Sequence, residues 1–272
     1  MRLTVVGCSG SMPGPASAAS SYLVRADGVD DDGGAVTSTR PWNVLLDLGS
    51  GAFGPLQTLT APNRLDAVLL SHLHPDHCAD LCGLYVAYTY GPAGAPAGRL
   101  PVWGPAGTAS RLSLMYHGLE DGALERVFEV GRLADRDAVQ VGPLTITPYA
   151  VLHPVEAFGF RVEADGMVLA YTGDTDTCDN LGPLLRDADL ALADSAFVDG
   201  RDDARGVHLS GSRAALAALD AGGVKRLMLT HMPAWNDPEL CRAQAEQHWP
   251  GVEVAEPDSV HDLGSRHVVH GV

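Results

Sequence analysis

The sequence predicts an α/β fold, and three observations carry that prediction. Short apolar runs of strand length alternate with stretches of helical periodicity over the whole 272-residue chain. Hydrophobic residues make up 46% of it, ample for a sizeable core in one large domain or two small ones. Several apolar runs also end on a metal-capable side chain: His72 after Ala67–Leu70, His153 after Leu144–Leu152, Asp174 after Met167–Tyr171 and His231 after Val224–Thr230. In α/β folds, sites gather at the carboxyl ends of strands, so these four deliveries point to one edge of one molecule.

Taken in order, Leu3–Val6 reads as a strand ending in the small-residue loop Gly7-Cys8-Ser9-Gly10-Ser11, read here as a turn. It lacks the following helix and acidic residue of a dinucleotide fingerprint. Ser21–Ala26 and Asn43–Gly49 are the next strands, separated by the acidic loop Asp27–Gly34, whose spacing does not fit an EF-hand. A helix over Phe53–Leu59 leads into Ala67–Leu70. After His77, Leu81, Leu84, Tyr85 and Tyr88 recur at helical spacing, with Cys78 and Cys82 read as small buried residues. Gly91–Gly98 is a Pro/Gly segment suited to a rim or lid. Pro101–Pro105 reads as a strand before a helix that ends near His117-Gly118, with His117 structural. Phe158–Val162 and Met167–Tyr171 read as a hairpin turned at Asp165-Gly166. Asp189–Asp194 is a further strand, His208-Leu209-Ser210 begins an alanine-rich helix through about Ala221, and Val224–Thr230 is the strand before His231. The tail carries a helix near Pro238–Gln247 and strand pieces at Val252–Val254 and Arg266–Val269.

Charge narrows the function. The formal net charge is −16, Lys225 is the single lysine, and no basic run exists, which removes the electrostatic basis of nucleic-acid binding. Met1–Gly7 reads as a strand and not as a signal peptide, and no apolar run reaches the ~18 residues of a membrane span. Five cysteines (Cys8, Cys78, Cys82, Cys178, Cys241) without a paired framework suit a reducing cytoplasm.

Chemistry concentrates in Ser71-His72-Leu73-His74-Pro75-Asp76-His77. Imidazole nitrogens and carboxylates are what hydrolytic zinc sites use. His72 and His74, two apart in extended chain, can point the same way, while Asp76 and His77 follow Pro75 into a helix and can face a second metal. His153, Asp174 and His231 supply the remaining ligands.

These residues, in this order, resemble the metallo-β-lactamase superfamily over nearly the whole chain. The resemblance implies a four-layer αβ/βα sandwich over 1–272 as one domain. It also implies one metal on His72, His74 and His153, a second on Asp76, His77 and His231, and Asp174 bridging both. The segments His208-Leu209-Ser210 and Val224–His231 are similar to the phosphodiesterase branch, which holds RNase Z and atypical cyclic-nucleotide phosphodiesterases. By that resemblance His208 assists the leaving group or the phosphate, with Asp194 as its orienting partner. The motifs Val5–Ser11, Leu70–His74, Asp80–Val86 and Thr230–Pro233 resemble the cyclic-nucleotide phosphodiesterases in particular. Twenty residues separate His153 from Asp174, too few for the tRNA-clamping arm of RNase Z.

The expected function is dimetal hydrolysis of a small phosphodiester, a 3′,5′-cyclic nucleotide opened to a 5′-monophosphate. Asp76 and His208 are the catalytic residues, and Tyr85, Tyr88 and Trp235 are candidates for stacking on a base. Two divalent ions are implied, zinc by default, with manganese or iron admitted by the mixed donor set. Rival readings are a lactone, thioester or β-lactam hydrolase, an RNase Z-type endonuclease, and a non-catalytic metal-binding accessory protein. The oligomeric state stays open, a homodimer included.

Overall fold

The computed structural model describes residues 1–27, 40–96, 98–117, 122–264 and 268–269. Most of the acidic loop after Ala26, Ala97 of the Pro/Gly segment, Gly118, and the start of the last expected strand lie outside the described residues.

Strands β1 (Arg2–Gly7), β2 (Ser21–Ala26) and β3 (Trp42–Leu46) form an antiparallel meander in which Leu3 faces Val24 and Leu23 faces Leu45. Helix α1 (Phe53–Leu59) then crosses to β4 (Ala67–Leu69), parallel to β3. Helices α2 (Pro75–Cys78) and α3 (Leu81–Tyr90) lead to β5 (Leu100–Gly104), and α4 (Thr108–Tyr116) to β6 (Phe128–Arg132). The second sheet begins with β7 (Val139–Val141), β8 (Leu144–Ala150), β9 (Phe158–Ala164) and β10 (Met167–Tyr171), all antiparallel. It continues in parallel through α5 (Leu181–Leu185), β11 (Leu190–Asp194), α6 (Gly211–Ala221), β12 (Leu227–Thr230), α7 (Pro238–Glu246) and β13 (Glu253–Val254). Finally β14 (Val260–Asp262) and β15 (Val268–Val269) return to the first sheet beside β1. Among the described residues the sheet orders are β15-β14-β1-β2-β3-β4-β5-β6 and β13-β12-β11-β10-β9-β8-β7.

Side chains alternate across each strand, and that alternation builds the layers. Val5, Tyr22, Val24, Val44, Leu46 and Leu69 of the first sheet pack against Ile146, Phe160, Val162, Leu169, Leu192 and Met228 of the second. Their neighbours Leu23, Leu45 and Val68 point outward onto Leu56, Leu81, Leu84 and Leu112 of the helices. On the other side, Ala170, Ala191, Ala193 and Leu229 meet Leu181, Leu184, Ala214, Ala215 and Cys241 of α5, α6 and α7. Helix, sheet, sheet, helix is the αβ/βα order. Both faces of the parallel strands are therefore dry, which is why these segments read as unbroken apolar runs.

Two expectations change. Tyr85 and Tyr88 are buried beside Phe128, with ring centroids 6.4 and 6.2 Å away, so they are core residues and not base-stacking candidates. Strand β12 starts at Leu227 because Gly222 and Gly223 hold a left-handed turn and Lys225 is tied to Asp189.

Candidate metal centre

The seven expected ligands, His72, His74, Asp76, His77, His153, Asp174 and His231, arrive at one edge of the sandwich. His72 and His74 follow β4, and Pro75 at the first position of α2 turns the chain so that Asp76 and His77 face inward. His153 follows β8, Asp174 follows β10, and His231 follows β12. His231 adopts φ +57, a conformation rare for a non-glycine residue and found here where a strand hands over a functional side chain.

Among the described residues the donor atoms form three groups, each within 4.8 Å: His72, His74 and His153 in one, Asp76, His77, Asp174 and His231 in a second, and His153, Asp174 and His208 in a third that overlaps both. His74 Nδ1 lies 3.0 Å from His72 Nε2 and 3.3 Å from His153 Nε2. Asp174 sits between the groups, its Oδ2 3.1 Å from His231 Nε2 and 3.6 Å from His72 Nε2, its Oδ1 3.2 Å from His77 Nε2. Asp76 Oδ2 is 3.4 Å from His77 Nε2 and 3.8 Å from His231 Nε2.

A second ring of groups turns the imidazoles so that their Nε2 atoms face inward. Val207 O is 2.9 Å from His153 Nδ1, Ser20 Oγ 2.9 Å from His231 Nδ1, and Asp47 Oδ2 2.8 Å from His77 Nδ1. Outer partners of this kind fix tautomer and ring orientation in metal-binding histidines. Asp47 also accepts from Ser71 N at 2.7 Å, Ser71 Oγ at 2.8 Å and Tyr171 Oη at 2.8 Å. Its carboxylate thus ties β3, β4 and β10 together beneath the centre.

Asp47 is the residue that sequence reading missed. The sequence presents it only as part of a strand's end, yet it follows Val44-Leu45-Leu46 as directly as His231 follows β12, and it shares the left-handed φ, +60. The rule that found the other ligands would have found it. The loop after β1 was read as a turn, but it also braces the centre. Ser11 N donates to the His231 ring at 3.3 Å, and a Cβ on Gly10 would sit 2.1 Å from the His231 carbonyl oxygen.

The electrostatics suit cation binding. Burial pushes His72 well below the usual imidazole range, with His77 adding to the effect, and burial likewise lowers His153 and His231, so all three are neutral donors. Burial opposes ionisation of Asp174 and Asp76, but the surrounding histidines hold both below the usual carboxylate range. Burial also opposes a charge on His77, yet Asp174 and Asp47 on its two sides raise it well above the ordinary value. His77 Nε2 and Asp174 Oδ1 face each other at 3.2 Å, buried and without a well-formed hydrogen bond, so a cation replacing the His77 proton would satisfy both. The neutral imidazoles of His72, His153 and His231 and the ionised carboxylates of Asp76 and Asp174, converging in a dry pocket, fit divalent metal. Cys78 stays outside this set: it is buried and its Sγ donates to His74 O at 3.3 Å.

His208 stands beside the first two groups, its ring centroid 5.4 Å from that of His153 and 5.3 Å from that of His231. Its Nδ1 is 2.9 Å from Asp194 Oδ2 at the end of β11. Burial lowers His208, but the Asp194 charge and hydrogen bond outweigh it and bring the imidazole to about 9. Asp194 in turn accepts from Thr175 N and Ala196 N, so it is rigidly held. Trp235 is 61% exposed.

Comparison with known proteins agrees with this geometry. The beta-lactamase superfamily domain matches residues 42–232. The uncharacterized protein Rv1339 of Mycobacterium tuberculosis is 41% identical over 255 residues, covering 92% of this chain and 88% of that protein. Ribonuclease Z of Mycobacterium bovis is 28% identical over 258 residues, 85% of each chain. The crystal structure of the metallo-beta-lactamase fold protein YhfI from Bacillus subtilis superposes with a TM-score of 0.80 at 26% identity, over 96% of this chain and 99% of that one. With a sandwich of this order and a matching domain over most of its length, the chain belongs to the beta-lactamase superfamily and has its metallo-β-lactamase fold.

Proposed function

We propose that this protein is a metal-dependent phosphodiesterase that opens 3′,5′-cyclic nucleotides to 5′-monophosphates. The observation that carries this reading is the His208–Asp194 pair, 2.9 Å apart, standing beside a seven-residue His/Asp cluster. A phosphodiester leaves behind an alkoxide that needs a proton, and an imidazole anchored through Nδ1 offers Nε2 as its donor. The leaving group of a lactone or β-lactam needs a proton as well, so the pair supports a hydrolase, and the phosphodiester class rests on the relatives. The relation to a protein named as a ribonuclease supports the phosphodiester class.

His72, His74 and His153 would hold one ion, Asp76, His77 and His231 a second, with Asp174 shared between them. When bound, such a pair lowers the pKa of an intervening water to near 7 and offsets the phosphate charge. Zinc suits the donors, and manganese and iron are also accommodated by mixed imidazole and carboxylate sites. Within the protein, Asp76 holds the proton of the attacking water, and Asp194 keeps the His208 ring turned and stabilises its charged form. A small substrate fits better than tRNA: the hairpin β9–β10 lies between His153 and Asp174, and the chain carries a charge of −16. A cytoplasmic location agrees with the free cysteines. No helix among the described residues is long and apolar enough to cross a membrane.

The deciding experiment measures metal content and turnover together, on bis-p-nitrophenyl phosphate, cyclic AMP, cyclic GMP and a panel of lactones. Hydrolysis of the phosphodiesters is expected. Turnover of lactones alone overturns the proposal, and a fully metallated protein inert towards every ester identifies an accessory protein instead.

A further inference from the structure

His74 serves two neighbourhoods. Besides facing His72 and His153, it lines a cleft of about 310 Å³, at the lower end of the roughly 300–1,000 Å³ typical of small-molecule sites. Leu73, Pro105 and Val155 supply apolar walls, and Val155 is 42% exposed, an apolar side chain left open to solvent beside a polar centre. Arg111, from α4, and Glu156 are the charged groups of the lining.

Arg111 is the one arginine among the described residues with a buried, unpartnered side-chain nitrogen. Arg2, Arg161, Arg205, Arg213, Arg226 and others are paired with carboxylates. The Arg111 side chain makes no hydrogen bond or ion pair among the described residues, and its Nε is buried without a partner. Glu156 shares the cleft but is committed elsewhere: its Oε2 accepts from Ala106 N at 2.7 Å and its Oε1 lies 3.6 Å from Arg132. Only the Nε of this half-buried side chain is withdrawn from water without an acceptor, and its terminal nitrogens keep donors for an incoming group. Apolar walls beside such a fork of donors suit an aromatic ring that carries acceptors on one edge.

We propose, on the phosphodiester reading of the adjoining centre, that this cleft takes the substrate's nucleobase and that Arg111 selects guanine by donating to its O6 and N7. Guanine presents two acceptors side by side and matches the guanidinium fork; adenine puts an amino donor beside N7 and matches only half of it. The walls made by Leu73, Pro105 and Val155 accept either purine, so selection rests on the edge contact. The reacting phosphate would lie on the far side of His74, among the metal-holding residues.

The test is steady-state kinetics of metal-loaded wild type, Arg111→Met and Arg111→Lys on cyclic GMP, cyclic AMP and bis-p-nitrophenyl phosphate, with circular dichroism to establish folding. Wild type is expected to prefer cyclic GMP. Arg111→Met should raise KM for cyclic GMP by about tenfold or more, the scale of one bidentate contact, with kcat little changed. Activity on bis-p-nitrophenyl phosphate, which carries no base, should hold. Arg111→Lys, keeping the charge but not the fork, should lose the preference for guanine as well. A wild-type preference for cyclic AMP, or an equal loss on all three substrates in the folded variants, overturns the assignment. If wild type hydrolyses no phosphodiester, the reaction reading falls, and the cleft is judged by calorimetric binding of guanosine 5′-monophosphate. Weaker binding in Arg111→Met then sustains it; equal binding, or none in wild type, refutes it.

Discussion

His208 makes one side-chain hydrogen bond among the described residues, from Nδ1 to Asp194, and its ring packs against Phe197, His153 and His231. His208→Ala removes the proposed proton donor and none of the seven metal-capable groups. It should lower kcat on a phosphodiester by about 10²–10⁴-fold at unchanged metal content, measured by steady-state kinetics beside elemental analysis. Asp194→Asn should lower kcat less and displace the alkaline limb of the pH–rate profile, because the ring loses the charge that stabilises its protonated form. A profile identical to wild type would separate Asp194 from the chemistry. Asp47 behaves differently, since it accepts from His77, both donor groups of Ser71, and Tyr171. Asp47→Ala should weaken metal binding by about 10–100-fold, seen as metal lost on dialysis against a weak chelator. Full retention of metal would show that His77 keeps its orientation without Asp47.

At the level of elements, the centre depends on how strands end. Residues after β3 and β12 take the left-handed conformation, and the turn after β1 packs its backbone against His231. Gly10→Ala places a Cβ 2.1 Å from the His231 carbonyl oxygen, a backbone atom that cannot move without disturbing the ring. Such a variant should fold with reduced stability, by about 1–3 kcal/mol, and with lower metal affinity, followed by urea unfolding with and without added zinc. Most elements were legible because burial on both faces produces plain apolar runs, and because Pro238 suits the first turn of α7. Strands β6, β7 and β14 were not legible. They sit towards the sheet edges, where half their residues face solvent and Phe128-Glu129-Val130-Gly131-Arg132 loses the apolar signature. Tyr85 and Tyr88 misled for the related reason that helical periodicity marks a buried face without saying what it is buried against.

Over the whole molecule, the two sheets are locked together by Tyr22 and Tyr171. Their rings meet at 4.9 Å, and their hydroxyls reach Thr230 and Asp47 beneath the metal-capable cluster. Cations bound only by the folded chain therefore stabilise both halves at once. Removing them with a strong chelator should lower Tm, and stepwise addition of zinc should raise it with concentration, as measured by calorimetry. A Tm indifferent to chelator would mean that the cluster holds no tightly bound ion.

By itself the sequence determined the donor inventory, the strands that carry it and the superfamily, because ligand chemistry demands particular side chains and strand ends demand particular patterns. Only the tertiary structure decided that Asp47 supports His77, that Gly10 props His231, and that Arg111 faces a cleft without a partner. Those are contacts between residues 30, 221 and more positions apart, or an absence of contact, and neither leaves a trace in local composition.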